Sequence, residues 1–105
     1  MPARRRPHRL IEKDVLTASR RRCCLCVFLN SRNDVRKGQI AHLNRDPGDS
    51  RFENLVYLCF EHHDEYDSQT SQSKALLLEE VRDYRDRLYA QNDDSKIVAE
   101  HAAVT

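Results

Sequence analysis

Two short pairs of metal-seeking residues stand out in this chain: Cys23-x-x-Cys26 and, after a gap, Cys59-x-x-His62, with His63 directly behind. A two-residue spacer lets a tight knuckle aim both ligand atoms at one ion. Two such pairs brought together supply three thiolates and an imidazole, a closed tetrahedral set of the kind that zinc fills. With all four positions taken by protein none is left for water, so the expected role of the ion is structural. Cys24 is the alternative to Cys23, and Cys23 is preferred because it alone gives the two-residue spacer. Disulfides are the competing use of four cysteines, but Cys23, Cys24 and Cys26 crowd together, where short-range bridges are strained. In a reducing compartment ligation is the expectation.

Between the pairs lie His42 and Asn54. A neutral imidazole at the end of a strand can accept a proton from water, whose oxygen then attacks a phosphodiester phosphorus. Taken alone, a strand histidine is more often a satisfied structural residue. The Asn54 amide both donates and accepts, so it can brace a loop and hold the histidine in one orientation, or simply cap a turn. Adjacent residues on a helix point about 100° apart. His62 can therefore face a zinc ion while His63 faces elsewhere, free to ligate a second, divalent cation at a scissile phosphate.

The stretch Ile40-Ala41-His42-Leu43, followed by Asn54-Leu55, Leu58-Cys59 and His62-His63 inside the cysteine frame, resembles the HNH endonuclease family over roughly residues 20 to 67. The resemblance implies an α+β fold: a small ββα-metal, treble-clef-like, zinc-stabilised domain with flanking N- and C-terminal helices. It implies metal-dependent hydrolysis of DNA phosphodiester bonds, with His42 as general base, Asn54 as the middle residue of the motif and His63 as ligand of a catalytic Mg²⁺, Mn²⁺ or Ni²⁺. Asp67, one turn after His63, and Asp64 are further candidate ligands. The chain departs from the family at position 41: many members carry an acid or a second histidine before the first motif histidine, and Ala41 stands there instead. An Ala41→Asp change is expected to strengthen the cation site. The rival expectation is a catalytically degenerate zinc module that binds DNA or a protein partner.

Charge separates along the chain although the net formal charge is only +1. Residues 1–38 hold eleven Lys/Arg against three Asp/Glu, and the remainder holds seven against fourteen. A basic front half can lie along a phosphate backbone. Arg20, Arg21 and Arg22, which abut the first knuckle, are the expected DNA contacts, whereas Arg4-Arg5-Arg6 suits a solubilising arm equally well. No apolar run approaches the roughly 18 residues that span a bilayer, and the arginine-rich start lacks a secretory core. A cytoplasmic protein without membrane contact is expected. A length of 105 residues leaves room for one small domain and a modest core, so a metal clip is expected to carry much of its stability, and either specificity is weak or a targeting or assembly partner protein brings the chain to its substrate.

The elements that must position these groups follow from periodicity. Residues 1–9 read as a disordered basic arm, residues 10–91 as the domain, and residues 92–105 as a flexible tail. Ile11, Val15, Leu16 and Ala18 predict a helix to about Arg21, with its acids early and its arginines late to suit the helix dipole. Cys23 to Phe28 is expected to be an extended turn. Gln39 to Leu43 reads as a short strand, Asn44 to Arg51 as a loop, Leu55 to Leu58 as a second strand, and Glu61 to Tyr66 as a helix. Leu77, Val81, Tyr84 and Leu88 predict an amphipathic helix to Gln91. Thr70, Ser71 or Ser73 would cap it, its alternating charges from Glu79 to Arg87 would be solvated, and its apolar stripe could serve a homodimer.

Overall fold

The computed structural model describes residues 8–68 and 76–104, and the statements below concern those residues. In chain order the elements are α1 (His8–Ser19), α2 (Cys24–Asn30), β1 (Gly38–His42), a 3-10 turn (Phe52–Asn54), β2 (Leu55–Cys59), α3 (Phe60–Ser68), α4 (Leu78–Gln91) and α5 (Ser95–Val104). The result is an α+β domain with a two-stranded antiparallel sheet.

The sheet divides the interior. The run Leu55-Val56-Tyr57-Leu58-Cys59 is apolar at every position, as expected of a strand covered on both faces. Its alternate side chains enter different cores. Leu55 and Tyr57 pack with Ile11, Val15 and Ala18 of α1, with Phe52 and with Tyr89. Val56 and Leu58 pack with Leu25 of α2, Tyr66 of α3, and Val81 and Leu88 of α4. β1 pairs with β2 in the register Gly38↔Cys59, Ile40↔Tyr57 and His42↔Leu55. Only glycine fits at the first of these pairs, because a Cβ at position 38 would come 2.0 Å from the Leu58 carbonyl oxygen.

α1 begins earlier than expected and takes in His8 and Arg9, while Arg4 to Arg6 lie outside the described residues. It ends at Ser19 because Arg20 and Arg21 both adopt left-handed backbone, φ 56° and 57°. Their amides bond back to the Thr17 and Leu16 carbonyls, and the Asn92 side chain donates to Ala18 O at 2.9 Å. Asp14 is no dipole residue; it is buried, 2.8 Å from His101 Nε2.

Three further expectations change. The first knuckle is not extended: Cys24–Asn30 is a helix capped by left-handed Ser31. A helical i, i+3 step brings Cys23 and Cys26 to one side as well as a knuckle would, and it also buries Leu25 completely. The expected flexible tail instead contains α5, anchored by the His101–Asp14 pair and by His101 stacked on Phe52 with centroids 4.0 Å apart. α4 starts at Leu78, with Leu77 exposed at its N-cap, and the nominated Ser/Thr caps lie outside the described residues. Val81 and Leu88 are buried within the chain, and Tyr84 stacks on Phe28 at 5.7 Å. The stripe considered for a homodimer is thus mostly occupied internally. Nor is the charged face wholly solvated, since Arg85 is buried and donates Nη1 to the carbonyls of Glu53 (2.8 Å) and Leu55 (3.1 Å).

Candidate metal centre and the neighbouring cleft

Three elements converge on the cluster. Cys23 precedes α2 and Cys26 lies in its first turn, Cys59 closes β2, and His62 sits in the first turn of α3. Their ligand atoms all lie within 4.8 Å of one another. His62 Nδ1 is 3.3 Å from Cys23 Sγ, 3.3 Å from Cys59 Sγ and 3.6 Å from Cys26 Sγ, and the Cys26 and Cys59 sulfurs are 3.7 Å apart. A tetrahedron with zinc bond lengths has S···S edges of about 3.8 Å and S···N edges of about 3.6 Å. The cluster therefore has the donors, and nearly the dimensions, to hold a structural metal ion such as zinc. No disulfide competes, because all four cysteines are free.

Without an ion the buried cysteines favour the neutral thiol. Burial, and then the neighbouring Cys23 charge, push the Cys26 thiol up to about 12, and burial also raises Cys23. An ion must displace these protons to collect thiolates. Cys24 is excluded from the set: its sulfur approaches Val81 O at 4.0 Å on the α4 side, and burial raises its thiol strongly.

On the other side of α3 an open cleft of about 360 Å³ is lined by His42, Arg45, Pro47, His63 and Asp67. The two adjacent histidines divide as the helical geometry requires, His62 to the cysteines and His63 to the cleft. His63 Nδ1 is 3.5 Å from Asp67 Oδ2, one turn later. His42 enters from the last position of β1. Ala41 before it is buried beside Tyr66 in the core and offers no donor. Asp64, the other acid considered, is exposed and does not line the cleft.

Asn54 is almost fully buried and braces the loop that follows His42. Its Oδ1 accepts from Asn44 N (3.1 Å), and its Nδ2 donates to Asn44 Oδ1 (2.9 Å) and Asp49 O (2.8 Å). Its carbonyl accepts from Leu43 N at 2.7 Å. Its hold on His42 thus runs through the next residue's backbone, and no hydrogen bond joins Asn54 to the ring. Asp49 extends the brace: two bonds from the Arg51 guanidinium hold its carboxyl well below the usual range.

Arg45 is the cleft residue that sequence reasoning missed. It has left-handed backbone, φ 61°, and its amide bonds to His42 O at 3.0 Å. Its Nε and Nη2 donate to Tyr66 O in the last turns of α3 (3.3 and 3.0 Å), and its guanidinium lies 4.4 Å over the Tyr66 ring. The other guanidinium donors remain available at the cleft. The only sequence signal was an arginine three positions after a candidate base.

The three arginines nominated for nucleic acid occupy the turn between α1 and α2. Arg22 donates to the carbonyls of Asn33 (3.1 Å) and Arg20 (3.0 Å). Arg20 donates to Asn92 O and lies 3.5 Å from Asp94 Oδ2. Arg21 is exposed. No described helix is long and apolar enough to cross a membrane. No family model, curated protein or solved structure matches the chain.

Proposed function

We propose that the cleft is the active site of a metal-dependent endonuclease of the HNH type that hydrolyses DNA phosphodiester bonds. The observation that carries this reading is the sharing of α3: one histidine joins a Cys₃His cluster while its neighbour faces His42 across a polar cleft. The order β1, β2, α3 around that cleft matches the ββα-metal arrangement that the His42, Asn54 and His63 spacing resembles, and the cysteine cluster would serve as its treble-clef-like zinc frame.

Within this proposal the His42 imidazole takes a proton from the attacking water. His63, with Asp67 beside it, holds a divalent cation, and Arg45 holds a non-bridging oxygen of the phosphate. Such a cation, when bound, supplies positive charge to the scissile phosphate and its leaving 3′ oxygen. Asn54 keeps the loop carrying Arg45 and the backbone after His42 in place. Of the three arginines after α1, Arg21 is exposed and open to a DNA backbone, whereas Arg20 and Arg22 are bonded within the fold.

A second reading, a catalytically degenerate zinc module that binds DNA or protein, is favoured by Ala41, which leaves His63 and Asp67 as the protein ligands of the cleft. Plasmid nicking separates the two. Zinc-loaded wild type should nick supercoiled DNA with Mg²⁺, Mn²⁺ or Ni²⁺, and His42→Ala should not. Inactivity with every metal despite full zinc content would leave the binding module standing.

A further inference from the structure

An open groove of about 590 Å³ runs along α1 and reaches the turn after it. Arg9 and Lys13 follow one another at helical spacing along its wall, Arg20 and Arg21 close its end, and Leu16 contributes apolar floor. Glu12 is the groove's only acid, and His8 Nε2 lies 3.6 Å from its carboxylate. Arg20 is turned to Asn92 and Asp94, as Arg22 outside the groove is turned to Asn33. The side chains of Arg9, Lys13 and Arg21 have no hydrogen bond or ion pair among the described residues.

We infer that this groove, through Arg9, Lys13 and Arg21, is the seat of a nucleic-acid backbone. The assignment rests on the nucleic-acid side of the proposed function and not on its chemistry. It also moves the contact away from the contiguous triplet that the sequence suggested, two of whose members are engaged within the fold. Three unpaired cations face the groove against one acid, so the complementary occupant is a polyanion of regular charge spacing. Ten residues of helical rise separate Arg9 from the helix end at Ser19, about 15 Å, or roughly four base-pair steps of a duplex, and Arg21 lies just beyond. Arg21 O accepts from Arg36 N at 3.1 Å, beside the Gly38 end of β1, and His42 lies at the other end, about 13 Å along the strand.

The test is duplex binding by fluorescence anisotropy between 50 and 200 mM salt, without divalent cation so that no cleavage can intervene. Three phosphate contacts contribute about 2.7 to the slope of log affinity against log salt. The triple variant Arg9→Ala, Lys13→Ala, Arg21→Asn should lose about that much slope while keeping wild-type metal content and melting temperature. Asparagine is chosen at position 21 because the backbone there is left-handed. The charge-preserving variant Arg9→Lys, Arg21→Lys should retain the slope, and Arg22→Ala, whose side chain is already bonded, should leave it unchanged. An unaltered slope in the triple variant overturns the assignment, as does equally tight binding of polyglutamate, which would make the groove a docking face for acidic protein. Plasmid nicking, scored separately, tests the nuclease reading: a protein that binds through this groove but never cuts refutes the chemistry and leaves the groove standing.

Discussion

Replacing Asn54 by alanine removes one acceptor and two donors that join the 3-10 turn to the loop after His42. At about 1 kcal/mol net for each hydrogen bond the upper figure is about 3 kcal/mol. Asn44 is exposed and Asp49 half-buried, so water can recover part of this, and about 2 kcal/mol is the working value. For a domain near 100 residues that corresponds to a fall in melting temperature of roughly 8–16 °C. Zinc should stay stoichiometric, because Asn54 touches none of the four ligands. Under the proposed function, cleavage below the melting range should drop by about 10- to 100-fold, since a 1 Å misplacement of catalytic groups costs on that order. Calorimetry, zinc analysis and nicking rates on one preparation read all three quantities. A variant that melts and cuts like wild type would show that the network is ornamental and that His42 and Arg45 are held by something else.

Cys59→Ser should abolish stoichiometric zinc and unfold the domain even in abundant magnesium, because the ion joins α2, β2 and α3; circular dichroism with metal analysis checks this, and a folded, zinc-free variant would contradict it. His42→Ala should keep fold, zinc and DNA affinity while slowing cleavage by about 10²-fold or more, whereas His63→Ala should raise the divalent-metal concentration needed for activity and be partly rescued at high metal. Arg85→Met should lose about 3 kcal/mol in denaturant melts, because the Glu53 and Leu55 carbonyls forfeit a buried cationic donor. Ala41→Asp puts a carboxylate at a buried position, so it should lower the melting temperature in zinc-loaded protein without added divalent cation and recover with magnesium if the new acid reaches the cleft. Failure of magnesium to restore stability would show that the acid stays in the core.

Much of the candidate site was legible because its signals are local. The two ligand pairs, the opposite facing of His62 and His63, and the hairpin leading into α3 all depend on residue type at short spacing, and the structure brings those residues together. What escaped depends on distant partners. α2 contains two cysteines, Val27 and Phe28, a composition without helical advertisement, and it is helical because that conformation buries Leu25 and Cys24 against α4. α5 read as a tail although six of its ten residues are apolar, because its anchor, the pairing of His101 with Asp14, lies 87 residues away in sequence. Arg85 read as one more surface charge among alternating signs, and only the carbonyls at the end of the 3-10 turn and the start of β2 give it a buried place. Arg45 required the knowledge that α3 would return its C-terminal carbonyls to the loop.

The missing side chain at Gly38 acts as proofreading. Any one-residue slip of β1 against β2 would bring Lys37 or Gln39 opposite Cys59, where a Cβ collides with the neighbouring backbone. The same slip would withdraw His42 from its place opposite Leu55 and spoil the geometry between the hairpin and α3. A hairpin that closes has therefore already passed a check on where both the cluster and the cleft will form, before any ion arrives to reward it. Correct assembly of two sites rests on an empty space the size of one methyl group.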